Sequence, residues 1–499
     1  MDFRQVLGTS NRRRLELIEL LYYNREGSPS ERLLTELNCS LPILLNDISV
    51  IHAQQDIFTI EKEKGLYRVK LKEDISIGML YSEALTHSPE FQIIEQLLYE
   101  TCDNIESLSK LLFLSFSNTQ RYLKKIESAL NRTGIKLCYR PLRLEGKESL
   151  IRHFYYRYFI EKQYTLRTVL PELKAYQSKA IEKFVSAFIT RNDMHKKYIF
   201  QKRMSYNVFI SLWRIKNGHS YQEEELRKEG LVLPEKRMIT AFRDTISDVF
   251  QLELTDELMR DCLWLSFSDS LVFSEKHRKA ARRDNPRYRF LFDAHFSLVK
   301  KFNTLLAAPS DEARLLELTT VLVNDIYLYD EEGVFLTILR KSRTVFLRMV
   351  RLMHRQAVEK VTALVHQFVE EYAIYQDNDF IVNYVYLLLT QEVDSLELLA
   401  SRKETVHLLL ISDLSPTEEA FIAKVITQIV YGNFEIHHLD EGWDEEKDLY
   451  KKIIAYDGLI TTGSREGLPK EFPFVSMDPY VTPQAIVEIQ QLVSKLSGK

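Results

Sequence analysis

One stretch constrains this chain more than any other: Ser109 to Gly146, SKLLFLSFSNTQRYLKKIESALNRTGIKLCYRPLRLEG. A short apolar helix (Leu111, Leu112, Leu114) meets a polar break, Ser115-Phe116-Ser117-Asn118. A second helix follows, with Tyr122, Leu123, Ile126, Ala129 and Leu130 at the i, i+4, i+7, i+8 spacing of one buried face. That spacing predicts an outer face of Thr119, Gln120, Arg121, Lys124, Lys125 and Ser128, all able to reach base edges or phosphates. Asn131-Arg132-Thr133-Gly134 ends the helix, with Gly134 suited to the left-handed conformation beyond it. The alternation from Ile135 to Leu144 predicts a small hairpin bearing Arg140 and Arg143. Helix, turn, basic helix and basic hairpin compose a winged helix-turn-helix, whose second helix would enter the major groove while the wing touches the backbone. A basic helix face is also common as plain solvated surface, so one such unit does not by itself decide for DNA.

A second unit of the same plan precedes it by roughly 80 residues. Ser10 to Tyr23 reads as a helix with Leu15, Ile18, Leu21 and Tyr22 inward, followed by a short helix from Ser30 to Leu37. A third helix spans Leu41 to Gln54, with Leu41, Leu44, Leu45, Ile48 and Ile51 expected inward. Ile43, Asn46, Asp47, Ser49, Val50 and His52 are left on its other faces, and Asn46, Ser49 and His52 are the candidate groove contacts. Phe58 to Ile60, a charged turn and Leu66 to Val69 read as its wing. This first head is less basic and is expected to contribute less affinity. A helical connector from Ile75 to Tyr99 joins the two.

From Leu150 to about Arg402 the pattern is almost wholly amphipathic helix, divided by the charged, proline-containing run Lys276 to Arg289, which reads as an interdomain linker. After Ser401 strands and helices alternate: strands at 406–411, 434–439, 458–462 and 474–477, and helices at 416–431, 444–455 and 483–496. This predicts a small parallel-sheet α/β domain. The expected domains are therefore 1–73, 74–149, 150–280, 281–402 and 403–499, in a mainly α multidomain chain.

Composition narrows the function classes. The net charge is −4, so nucleic-acid contact has to come from local patches. Cys39, Cys102, Cys138 and Cys262 lie far apart without metal-type spacing, as expected of reduced thiols in a cytoplasmic protein. No apolar run approaches the ~18 residues that span a bilayer, so no membrane partner is expected. There is no glycine-rich phosphate loop, nucleophile elbow or HExxH, so no catalytic residues, cofactor or metal are expected and the chain reads as a non-enzyme. His437-His438 with Asp440 and Glu441 could in principle hold a metal, but adjacent strand histidines point to opposite faces and are assigned to the surface.

The LLFLSFSNTQRYLKKIESAL unit, the WRIKNGH segment and above all the domain order resemble the Mga/AtxA family of stand-alone global and virulence regulators of Gram-positive bacteria. The resemblance implies two winged helix-turn-helix units, two helical domains like the regulation domains (PRDs) of the sugar phosphotransferase system (PTS), and a C-terminal flavodoxin-like domain similar to the IIB component of that system. It also implies an oligomeric transcription regulator acting on double-stranded promoter DNA, with phosphocarrier proteins as partners and control by histidine phosphorylation. Related regulation domains place the phosphorylated histidine seven residues before an arginine. Counting back from Arg214 gives Asn207, so the candidates become His195, His219 and His295. Working IIB domains carry a nucleophilic cysteine after the first strand, but here that loop reads Ser412-Asp413-Leu414-Ser415-Pro416-Thr417. Without a thiolate the domain is expected to make contacts between subunits instead of transferring phosphate. Two other readings remain: an RNA-binding antiterminator sharing the regulation domains, and a phosphotransfer protein.

Overall fold

The computed structural model describes residues 3–497 except 55–56, 73–74, 132, 163–169, 193, 195–197, 222–225, 227–229, 269–270, 273, 327–336, 373–377, 393, 401–404, 440–445, 464–468 and 470. The chain forms two compact units, residues 1–284 with 324–340 and residues 285–323 with 341–499.

The first unit opens on a turn of 3₁₀ helix, Phe3–Val6, and then α1 (Thr9–Tyr23), β1 (Ser28–Pro29), α2 (Ser30–Glu36), α3 (Leu41–Gln54), β2 (Phe58–Glu63) and β3 (Leu66–Leu71). The strands order β1-β3-β2, all antiparallel. Leu17, Leu21, Leu33, Leu44, Ile48, Ile51, Phe58 and Ile60 close one core between helices and wing. The helical connector consists of two helices, α4 (Ile77–His87) and α5 (Pro89–Tyr99). Pro89 has no N–H to continue the ladder and holds Ser88 in an extended conformation, so the chain breaks there.

The second head contains α6 (Ile105–Leu111), α7 (Phe116–Leu130), β4 (Lys136–Tyr139) and β5 (Leu142–Glu145). The elements described after the second wing in this unit are mainly helices: α8 (Glu148–Lys162), α9 (Ala175–Arg191), α10 (Tyr198–Lys216), α11 (Thr240–Thr245), α12 (Asp256–Cys262), α13 (Trp264–Phe267) and α14 (Glu275–Asp284). The basic run expected as an interdomain linker contains the division between the two units, at Asp284 and Asn285, and is itself helical: α14 ends there and a new helix starts at Pro286. Arginine and lysine are good helix formers, and Pro286 stands at a first-turn position where its missing N–H costs nothing.

Beneath the second head lies a buried ionic network. Arg214 on α10 donates from Nη1 to Glu100 (2.9 Å) and from Nη2 to Glu148 (2.9 Å), and Arg152 on α8 reaches Glu148 (2.8 Å) and Asp261 (2.5 Å). Burial alone would push the Glu148 carboxyl up, but the two guanidiniums outweigh it and hold it below the ordinary value. Arg214 Nη2 also reaches the Leu144 carbonyl (3.4 Å), so the connector's end, the wing's end and the start of α8 are fixed by one side chain.

The second unit holds α15 (Pro286–Asn303), α16 (Glu312–Ile326), α17 (Ser342–Met353), α18 (Arg355–Tyr372), α19 (Asn378–Gln391) and α20 (Ser395–Ala400). It ends with β6 (Val406–Ile411), α21 (Pro416–Ile429), β7 (Phe434–His438), α22 (Glu446–Ile454), β8 (Gly458–Thr461), β9 (Phe474–Ser476) and α23 (Pro483–Leu496). The four strands are parallel in the order β7-β6-β8-β9. Leu408 and Leu410 pack against α21 and α23 on one face, and Leu409 packs toward α22 on the other. That two-sided burial explains the continuous apolar run of β6.

Candidate nucleic-acid interface

The second head is built for a solvent-facing helix. Asn104 caps α6 by accepting from the Ser107 N–H (3.0 Å), and Ser115 caps α7 by accepting from the Asn118 N–H (3.2 Å). The turn between them places Phe113 at φ 54° and 97 % exposed. The segment Ser115 to Asn118 is therefore the start of α7 and not a break before it, because a serine followed by three helix-compatible residues makes an N-terminus.

That earlier start settles which side chains face out. Thr119, expected among the groove contacts, is fully buried beside Leu123, Ile126, Ala129 and Leu130, and its hydroxyl donates to the Ser115 carbonyl (3.1 Å). It is a core residue of α7. Gln120, Arg121, Lys124 and Ser128 are exposed along one stripe. Among the described residues Gln120 and Lys124 are tied to no ion pair, and the Arg121 guanidinium lies 5.3 Å from the Tyr122 ring. Lys125 is half-buried on the inner flank: a β-carbon at Gly8 would sit 4.0 Å from its Nζ and 3.2 Å from the buried Glu90 carboxylate.

The wing stands beside α7. Tyr139 donates from its hydroxyl to Glu127 (2.9 Å). Burial and that carboxylate push the phenol up to about 12, so it stays a donor. Gly134 takes φ 73°, the left-handed turn that brings the chain from α7 into β4. Arg140 is exposed at the wing tip, whereas Arg143 is half-buried and paired with Glu145 on the same strand, Nε to Oε1 being 2.7 Å. Of the two wing arginines, Arg140 alone presents an uncommitted charge.

The corresponding helix of the first head differs. Asn46, Ser49 and His52 are exposed, but His52 Nε2 accepts from the Ile60 N–H (2.9 Å) and is tied to the wing. Leu41 and Leu45, expected inward, are 42 % and 50 % exposed, and Ile43 is 40 % exposed. Asp47, expected outward, is buried between Arg13 (2.6 Å) and Arg14 (3.0 Å), fastening α3 to α1. The helical stripe is rotated by this ion pair: apolar side chains alone did not decide the inner face. In the wing, Lys70 lies 2.6 Å from both Glu61 and Glu63, which raise it to about 12, so that wing's charge is largely internal.

With this geometry in place, comparison with known proteins is direct. Residues 73–159 match the Mga helix-turn-helix domain, the segment that contains α7 and its wing. A candidate trans-acting regulator of Streptococcus pneumoniae is 21 % identical over 471 residues, 92 % of each chain. Two capsule synthesis positive regulators of Bacillus anthracis, AcpA and AcpB, are 27 % and 23 % identical over 219 residues, about 43 % of this chain and 44 % of theirs. The chain is thus similar to regulators of the Mga/AtxA kind, with an Mga helix-turn-helix domain at residues 73–159.

The histidines singled out by the resemblance sit in different surroundings. His195 lies outside the described residues. His219 follows α10 and its Nε2 is 2.8 Å from Glu100, inside the network beneath the second head. His295 on α15 is fully buried, with Nδ1 2.6 Å from the Leu291 carbonyl and Nε2 2.8 Å from the Tyr384 hydroxyl. Sequence spacing carried no signal for the Arg152 and Arg214 network, because its partners lie up to 119 residues apart. In the C-terminal sheet, the loop that would carry a nucleophile is a capped helix start, Ser415 accepting from the Glu418 N–H (3.4 Å). Among the described residues, no helix is long and apolar enough to cross a membrane.

Proposed function

We propose that this transcription regulator binds promoter DNA chiefly through the second head, with Gln120, Arg121 and Lys124 entering the major groove and Arg140 on the phosphate backbone. The observation that carries this reading is the exposed stripe of α7, whose charges are unspent on internal ion pairs while the matching face of the first head is apolar or neutral. Asn46, Ser49 and His52 then add positioning contacts, Lys125 supports the helix from its inner flank, and Arg143 acts only when Glu145 releases it. The activity is non-enzymatic, and a helix-turn-helix head favours duplex DNA over the hairpin RNA of an antiterminator.

With so few cations per head, one head binds weakly, and symmetric association multiplies affinity through effective concentration. The two helical domains act as PRD-like regulation domains, and the β7-β6-β8-β9 order supports an EIIB-like, flavodoxin-like C-terminal domain that makes subunit contacts. Phosphorylation of His219 by a PTS phosphocarrier would set a dianion against Glu100 and loosen the base of the second head. His195 and His295 are the other candidate positions, the latter needing its helix pair to open first. Fluorescence anisotropy with duplex DNA from upstream of the chain's own gene, against a hairpin RNA competitor and across a salt series, tests the core reading. Binding that prefers RNA, or that ignores salt, would overturn it. Replacing each of the three histidines by Ala and Asp in a promoter reporter tests the switch, and light scattering on a chain truncated after Ser401 tests the contact role.

A further inference from the structure

Three metal-ligating side chains converge at the edge of the C-terminal sheet, and none of them belongs to the residues assigned to DNA binding. His407 lies on β6, and Glu435 and His437 lie two residues apart on the edge strand β7. Strand alternation puts all three on the face that carries Leu409, and the parallel register sets His407 beside Glu435 and Leu409 beside His437. His407 Nδ1 is 3.0 Å from His437 Nε2, and Glu435 Oε2 is 3.7 Å from each. His438 points to the other face, toward Glu419 (3.5 Å). The opposite facing expected of the adjacent His437 and His438 is what the strand shows. The partner of His437 comes from the neighbouring strand.

The bland alternative is an imidazole–imidazole hydrogen bond with a carboxylate nearby. Such a bond on side chains 48 % and 35 % exposed competes with water and gains little. A tetrahedral ion with ligands at about 2.0–2.1 Å instead holds its donor atoms roughly 3.3–3.4 Å apart. The observed 3.0, 3.7 and 3.7 Å bracket that value, so small side-chain rotations close the site. The scaffold is fixed: the His407 N–H donates to Asp457 (2.8 Å), and the Tyr456 ring lies 5.3 Å from that of His437. Two imidazoles and one carboxylate suit borderline cations such as zinc or cobalt, and not the all-oxygen shells of calcium or magnesium.

We propose that His407, Glu435 and His437 form a divalent transition-metal site of the zinc class, with water completing the coordination. The bound ion ties the edge strand β7 to β6 in a domain that lacks the phosphotransfer cysteine. This site is independent of the DNA-binding reading.

The test is titration of the full chain with cobalt, read by the visible bands of a four-coordinate ion, together with calorimetry using zinc. Saturation at about one ion per chain is expected. The double variant His407→Ala, His437→Ala should lose the cobalt bands, and Glu435→Gln should weaken binding about tenfold or more. His438→Ala, on the opposite face, should titrate like the parent chain. All four positions are at least partly exposed, and circular dichroism of each variant confirms the fold. Absence of the bands in the parent chain, retention in the double variant, or equal loss in His438→Ala would overturn the proposal.

Discussion

Helix α3 of the first head and helix α7 of the second stand in the same place in their trihelical folds, yet they turn opposite chemistry outward. α7 buries Thr119, Leu123, Ile126 and Ala129 and exposes Gln120, Arg121 and Lys124. α3 exposes Leu41, Ile43 and Leu45, keeps its one acidic residue inside, and spends two arginines of α1 on it. The wings repeat the contrast: Arg140 is exposed at one tip with no ion pair among the described residues, while Lys70 is held between two glutamates in the other. Two heads of one plan therefore place their charges differently. The same packing plan does not dictate the surface: on the proposed reading, where each charge ends up decides which head reads DNA.

The contrast can be broken or sharpened experimentally. The largest effect is expected from Arg214→Ala, which strands Glu148 and Glu100 without their shared cation and should lower unfolding stability by about 3–5 kcal/mol in denaturant titrations. Next comes the pair Arg121→Ala, Lys124→Ala, expected to weaken duplex binding about 100-fold at physiological salt. It should flatten the slope of log K against log salt by about 2, with the melting temperature unchanged. Arg140→Ala should cost about fivefold and about one unit of slope, as one phosphate contact does. Glu145→Gln releases Arg143 and should tighten binding about twofold to threefold, measured by the same anisotropy series. The smallest effect is expected from Asn46→Ala with Ser49→Ala, within about twofold, since exposed polar contacts to backbone position more than they bind. An effect in the first head equal to that of the α7 pair would erase the distinction between them.

Much of the architecture was legible in the sequence because it rests on periodicity. The bounds of α3, β6 and α23 follow from apolar spacing alone, and the parallel sheet follows from the alternation of short apolar runs with helices. What was not legible depended on partners distant in the chain. The facing of α3 turned on Asp47 meeting Arg13 and Arg14, an ion pair no helical wheel contains. Thr119 was misplaced because a threonine is ambiguous: its methyl suits a core and its hydroxyl can satisfy itself on the preceding turn. The metal-type cluster on β6 and β7 needed the strand register, which the sequence does not state.

The most direct test of the division of labour between the heads is site-specific photocrosslinking. A benzophenone side chain is placed at position 120 of α7 in one protein and at position 46 of α3 in another, each bound to duplex DNA from upstream of the gene. The expected result is strong crosslinking from position 120, mapping to bases in a major groove, and weak crosslinking from position 46. Strong crosslinks from position 46 with none from position 120 would contradict it.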